Sequence, residues 1–145
     1  MNNDIGVLVF AEQDQGKLSE VSLELVSKGR DLADQLKAKL ASVVLGNGIG
    51  RLPQELITYG CDVVYVADDP RLNYYSVLPY TKVITDLIQS AKPQIALYGA
   101  TSTGRDLAPR IASQIRAGLT ADCTDLQIGD HELPRQEKQI GRAHV

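Results

Sequence analysis

Four short, nearly continuous apolar runs constrain this chain more than any other feature: Ile5 to Phe10 (IGVLVF), Ala41 to Leu45 (ASVVL), Asp62 to Ala67 (DVVYVA) and Gln94 to Tyr98 (QIALY). Runs without alternation suit strands covered on both faces, because neither side of such a strand meets water. The segments between them carry the helical period instead. Val21, Leu25, Leu32, Leu36 and Leu40 recur at spacings near three and four, with Glu20, Glu24, Lys28, Asp34 and Lys37 on other faces. This spacing predicts a helix over 19–40 with Ser19 as its cap. Gly46, Gly48 and Gly50 form a turn before a short helix from Leu52 to Tyr59, with Pro53 in its first turn and Gly60 as its stop. A longer helix is expected from Ser76 to Ala91, ending before Lys92-Pro93. Beyond the loop 100–104 another helix runs to about Arg116, and Gly118 to Ile128 reads as a further extended segment.

Strands that alternate with helices imply a parallel sheet with right-handed crossovers, hence a three-layer α/β domain. Its length of 145 residues fits one such unit. After Ile128 the sequence loses both periodicities, so the domain is placed at 1–132 and 133–145 is expected to be a disordered or non-native tail, such as a gene-fragment or assembly scar.

A formal charge of -3, no Trp and a lone Phe10 provide neither the basic footprint nor the stacking platform of a nucleic-acid binder. Cys61 and Cys123 lie far apart, without a CxxC or a neighbouring His, so neither zinc nor a thioredoxin-type pair is indicated. Residues 1–4 lack a basic leader and no apolar stretch approaches the ~20 residues of a membrane span. The expected setting is the cytoplasm, without membrane insertion.

Ligands on parallel sheets meet the loops at the C-terminal strand ends. Here these are 11–13, 46–48, 68–69 and the small-residue loop 100–104. The last opens the densest constellation, Gly99-Ala-Thr-Ser-Thr-Gly-Arg-Asp-Leu-Ala-Pro-Arg110. Small residues allow close backbone approach, and a helix N-terminus there favours an anion such as phosphate, with Arg105 and Arg110 adding charge-assisted bonds. The competing reading is structural: Thr103 with Asp106 caps the helix, and Arg105 pairs with an acid at a subunit interface. Pro109 kinks a helix that begins at Gly104 but sits harmlessly in the first turn of one that begins near Asp106. Asp122 and Asp125 lack the third ligand of a metal site, and Cys123 is more readily a small buried thiol than a reactive one. His131 and His144 fall in the tail and receive no catalytic role. No G-x-G-x-x-G follows the first strand, no G-x-x-x-x-G-K-[ST] loop occurs and no G-x-S-x-G elbow occurs, so self-contained NAD, ATP-hydrolysing or esterase chemistry is unsupported.

Three motifs in order, Val7-Leu-Val-Phe-Ala-Glu12, Ala100-Thr-Ser-Thr-Gly-Arg-Asp-Leu-Ala-Pro-Arg-Ile-Ala112 and Gly118-Leu-Thr-Ala-Asp-Cys-Thr-Asp-Leu126, resemble the N-terminal domain of the electron-transfer flavoprotein alpha subunit. The resemblance implies a Rossmann-like parallel sheet of the adenine nucleotide alpha hydrolase-like type. It also implies a heterodimer with the beta subunit, FAD as cofactor, and electron shuttling with acyl-CoA or related dehydrogenases, as in fatty acid beta-oxidation. Such a protein is an electron carrier rather than a self-contained enzyme. Arg71-Leu-Asn-Tyr-Tyr75 resembles the anaerobic, electron-bifurcating type. In this family the main FAD site lies in a C-terminal domain with no counterpart in these residues, so this chain is not expected to hold FAD alone. Thr103, Gly104, Arg105 and Thr120 fall in the matching motifs and are carried over as flavin-edge or interface candidates. The alternative is a stand-alone nucleotide-binding protein like universal stress proteins, whose glycine pattern Gly99, Gly104, Gly118 and Thr120 approximate only loosely.

Overall fold

The computed structural model describes the backbone of residues 5–118, Asp125–Ile128 and Arg135–Gln139, and side chains from Ile5 to Ile115. Strand β1 (Ile5–Ala11) leads into a small hairpin, β2 (Gln13–Asp14) and β3 (Lys17–Leu18), and then helix α1 (Glu20–Leu36). There follow β4 (Lys39–Gly46), α2 (Leu52–Tyr59), β5 (Asp62–Asp68), α3 (Val77–Ala91), β6 (Ile95–Tyr98), α4 (Ser102–Gly118), β7 (Asp125–Ile128) and β8 (Arg135–Gln139). The main sheet has the order β7-β6-β1-β4-β5-β8, every neighbouring pair parallel. Placing the first strand centrally, with the chain winding outward to each side, creates a crevice where the winding reverses, between the C-terminal ends of β1 and its neighbours.

Both faces are covered, which is why the strands needed no alternation. Leu8, Phe10, Val43, Tyr65 and Tyr98 pack with Ile84, Leu87, Leu107 and Ile111 of α3 and α4. Val7, Val9, Val44, Val64 and Leu97 pack on the other side with Leu25, Val26, Leu52 and Leu56 of α1 and α2. Each such fully buried side chain contributes about 1.5–3 kcal/mol.

Helix α1 starts where the sequence placed it: Ser19 is extended and its Oγ accepts from the Ser22 amide at 3.1 Å. It stops four residues before the expected Leu40. Lys37 turns left-handed (φ 53°), its amide donating to the Asp34 carbonyl and that of Ala38 to Ala33. Leu40 belongs instead to β4, with its amide held by the Asp62 carboxylate at 3.0 Å. The apolar spacing ran on unbroken across this turn, and a lysine occupies the position where glycine would have announced it. Helix α2 keeps its expected limits, with Pro53 in its first turn and Gly60 (φ 133°) at its end. Helix α3 begins one residue after Ser76, which makes no side-chain cap bond.

Two features of α4 differ from expectation. The capping residue is Thr101 rather than Thr103: its Oγ1 accepts from the Gly104 amide at 3.0 Å and its carbonyl from that of Arg105 at 2.9 Å. Because the helix starts at Ser102, Pro109 lies in its interior, where it removes one main-chain bond. Strand β8 lies in the segment expected to be a tail; it is wholly polar (RQEKQ), which an edge strand joined by main-chain bonds tolerates.

Candidate functional site

The C-terminal edge of the sheet is bolted together by short polar contacts. Ser22 Oγ accepts from the Glu12 amide at 2.6 Å, tying the first turn of α1 to the end of β1. The Glu12 carboxylate accepts from Thr101 Oγ1 at 2.7 Å, so one threonine both caps α4 and anchors it to β1 across 89 positions of sequence. Gly99 and Gly104 make this contact possible. A Cβ on Gly104 would stand 2.0 Å from the Gly99 carbonyl oxygen, and one on Gly99 would stand 2.8 Å from Val21 Cγ1.

Beside this knot the β2–β3 hairpin projects from the end of β1. Gln15 (φ 50°) and Gly16 (φ 82°) form its two-residue turn, the left-handed pair that suits the twist of an antiparallel ribbon. Gln13 uses both ends of its amide: Nε2 donates to the Leu45 carbonyl at 3.0 Å and Oε1 accepts from the Gly16 amide at 2.8 Å. The glycine loop after β4 already holds an anion from within the protein. Its Gly48 and Ile49 amides donate to the Asp68 carboxylate at 2.8 and 3.0 Å. Asp69, 4% exposed, accepts from the Nε and Nη2 of Arg71 at 2.9 and 3.0 Å, and this fork raises the Arg71 pKa further.

A cleft of about 240 Å³ opens between the hairpin and the loop that precedes α3. Phe10 and Tyr80 form part of its floor, with Gln13, Asp14, Tyr74 and Thr103 among its walls. Tyr75, also in the wall, sets its ring edge-on to Tyr80 at 5.1 Å and donates its hydroxyl to Asp106 at 2.6 Å. Burial, reinforced by that bond, pushes the Tyr75 phenol well up. The same bond, with the Arg110 Nε at 3.1 Å, holds the Asp106 carboxyl below the usual carboxylate range. On the outer face, α3 and α4 border a second groove of about 800 Å³ that includes Leu78, Thr81, Thr85, Pro109 and Arg110.

The candidates from the sequence are therefore dispersed. Thr103 faces the cleft, Gly104 is buried against Gly99, and Arg105 is exposed on the first turn of α4. Arg110 is committed to Asp106 and borders the outer groove, not the cleft. Thr120, Asp122, Cys123, His131, His144 and the side chain of Asp125 lie outside the described residues. Cys61 is buried. The hairpin and Tyr74 were not singled out as a site from sequence; the signal was Gly16 two residues past Asp14, a turn glycine between short polar runs. Among the described residues there is no group of three His, Cys, Asp or Glu suited to a metal ion, and no helix is long and apolar enough to cross a membrane.

A family model for the electron transfer flavoprotein domain matches residues 7–140. The chain is 44% identical over 138 residues to an electron transfer flavoprotein subunit alpha of Thermoanaerobacterium thermosaccharolyticum, covering 95% of this chain and 42% of that protein. It is 46% identical to the corresponding subunit of Megasphaera elsdenii, covering 86% of this chain and 37% of the relative. It is also 46% identical to the protein FixB of Azorhizobium caulinodans, covering 84% and 34% respectively. The chain spans about two-fifths of the length of the relatives it matches.

Proposed function

This chain belongs to the electron transfer flavoprotein domain family, and on that premise we propose that it is the N-terminal docking and scaffold domain of an alpha subunit. Its partner is a beta subunit. FAD sits in the assembled heterodimer rather than on this domain alone, and the complex passes electrons from acyl-CoA or related dehydrogenases in the cytoplasm. Residues 1–132 are proposed as the docking domain, with β8 (Arg135–Gln139) joined to the edge of its sheet. The observation that carries the reading is the match across 7–140 in a chain covering 42% of a named alpha subunit. One relative is named an acryloyl-CoA reductase electron transfer subunit beta and another a lactate dehydrogenase (NAD(+),ferredoxin) subunit LctC, which supports the dehydrogenase class without selecting one.

Arg105 supports the docking role physically: it is exposed, on the first turn of a helix whose start is pinned to the sheet, so its guanidinium is presented by a rigid base. Thr103 is proposed to border the same face, and Thr120 is kept as an interface candidate on its motif alone. Co-expression of the chain with a beta subunit tests the reading. A complex that survives size-exclusion chromatography and is weakened about tenfold by Arg105→Ala is expected. Absence of any complex, with the chain folded by circular dichroism, overturns it.

A further inference from the structure

We infer that the loop 69–76 and the start of α3 form the apolar anchor of the docking face. Tyr74 and Leu78 enter a socket on the beta subunit that is apolar within and carries a carboxylate at its rim for Arg105. The inference rests on the docking role proposed above, and adds the residues that carry the affinity and the chemistry of the surface they meet.

Exposure points to the place. Among the described residues four large hydrophobic side chains are exposed, and three of them, Tyr74, Tyr75 and Leu78, fall within five positions of sequence. Tyr74 and Leu78 are the most open of the four, at 70% and 78%. Single exposed apolar residues are ordinary, whereas a cluster of them marks an interaction site, and tyrosine beside arginine is the composition of an interface hot spot. The fold gathers them at one corner. Tyr74 and Tyr75 line the cleft with Thr103, Leu78 lines the outer groove with Arg110, and the bonds from Tyr75 to Asp106 and from Arg110 to Asp106 join the two sides. Arg105 is exposed on the adjoining turn of α4.

The corner is rigid although it is largely loop. On one side of Tyr74 the Asp69 amide donates to the Gly46 carbonyl at 2.9 Å, and buried Leu72 accepts from the Tyr80 hydroxyl at 2.8 Å. On the other side the Tyr75 hydroxyl is held by Asp106 and its ring by Tyr80. Tyr74 is thus displayed from a segment pinned at both ends, and little conformational freedom remains to be lost when a partner closes over it.

Charge identifies the rim of the partner. Of the charged residues in 69–78 and 101–110, Asp69 pairs with Arg71 and Asp106 with Arg110, while Arg105 has no partner among the described residues. A carboxylate on the beta subunit completes it. A pair at the rim governs approach and specificity more than affinity, so the larger share of the binding falls to Tyr74 and Leu78.

Sedimentation of the co-expressed chain and beta subunit over a dilution series tests the anchor. Tyr74→Ala should raise Kd about thirtyfold and Leu78→Ala about tenfold. Tyr75→Phe, which frees the loop but keeps the ring, should raise it about threefold. Tyr59→Ala removes an exposed aromatic on the opposite side of the sheet and should leave Kd unchanged. At ~1 M salt the effect of Arg105→Ala should shrink and that of Tyr74→Ala should persist, because only the first is screened. Amide exchange at 73–76 should slow in the complex. Thermal melts verify folding, and Tyr74→Ser or Leu78→Lys replaces a variant that fails to fold. A complex in which the Tyr74 and Leu78 variants stay within about twofold of the parent, or in which exchange at 73–76 is unchanged, overturns the anchor and leaves the docking role standing. Absence of any complex from the folded chain overturns both.

Discussion

At the scale of single residues, the strongest statement concerns Gly104 and Thr101. Gly104→Ala drives a Cβ into the Gly99 carbonyl, a backbone atom that cannot step aside without moving β6 or α4. The expected loss is about 3 kcal/mol, read as a lower urea midpoint. Thr101→Ala removes the cap and the bond to Glu12 together and should cost about 1–2 kcal/mol, while Thr103→Ala should stay within about 0.5 kcal/mol. The structural reading of the sequence placed the cap on Thr103, whereas Thr101 holds it. Thr101 and Thr103 have equal local credentials, and the choice depends on Glu12, which is distant in sequence and adjacent only in the fold. The buried tyrosines yield a pH prediction of definite sign. Burial holds the Tyr80 phenol up at about 12, above the value near 10 of an unfolded chain. Its contribution is complete below pH 10 and is lost as pH rises from there to 12. Helical ellipticity should fall in that window together with the appearance of phenolate absorbance. Asp106 acts at the other extreme: its lowered pKa means that its contribution is present at neutral pH and is lost as pH falls below the ordinary carboxylate value.

At the scale of elements, the misplaced end of α1 has a local physical origin. Helices α1 and α3 both end on a left-handed lysine, Lys37 (φ 53°) and Lys92 (φ 51°). The second end was legible because Pro93 follows it, whereas the first was hidden by Leu40, whose spacing continues the helix although its backbone has entered β4. Lys37→Gly relieves the left-handed penalty and should stabilise the protein by about 0.5–1 kcal/mol in urea melts. The β2–β3 hairpin, too short for periodicity to register, escaped the sequence for a different reason: two-residue strands carry no pattern, and only Gly16 marked them. That hairpin supplies Gln13 and Asp14 to the cleft, so the element least legible in the sequence is the one that shapes the site.

At the scale of the whole molecule, the four apolar runs were sufficient to specify a doubly covered parallel sheet, because that environment buries both faces of the four strands they form. The sheet divides the interior into two packed layers that do not mix. Leu56 and Ile84, buried in opposite layers, should therefore behave independently. Each mutation to alanine should cost about 2–5 kcal/mol, and the double variant should match the sum within about 0.5 kcal/mol.

The two layers also differ in their optics. Phe10, Tyr65, Tyr80 and Tyr98 all pack into the layer beneath α3 and α4, whereas the layer beneath α1 and α2 is built from aliphatic residues and Cys61. The chain has no tryptophan. The buried tyrosines thus report on one side of the sheet, and the other side carries only the exposed Tyr59 at the end of α2 among the described residues. A loosening confined to α1 and α2 would leave the signals of the buried tyrosines unchanged and reach optical detection only through the exposed Tyr59, so amide exchange or a tryptophan placed at Leu52 would report on that side directly.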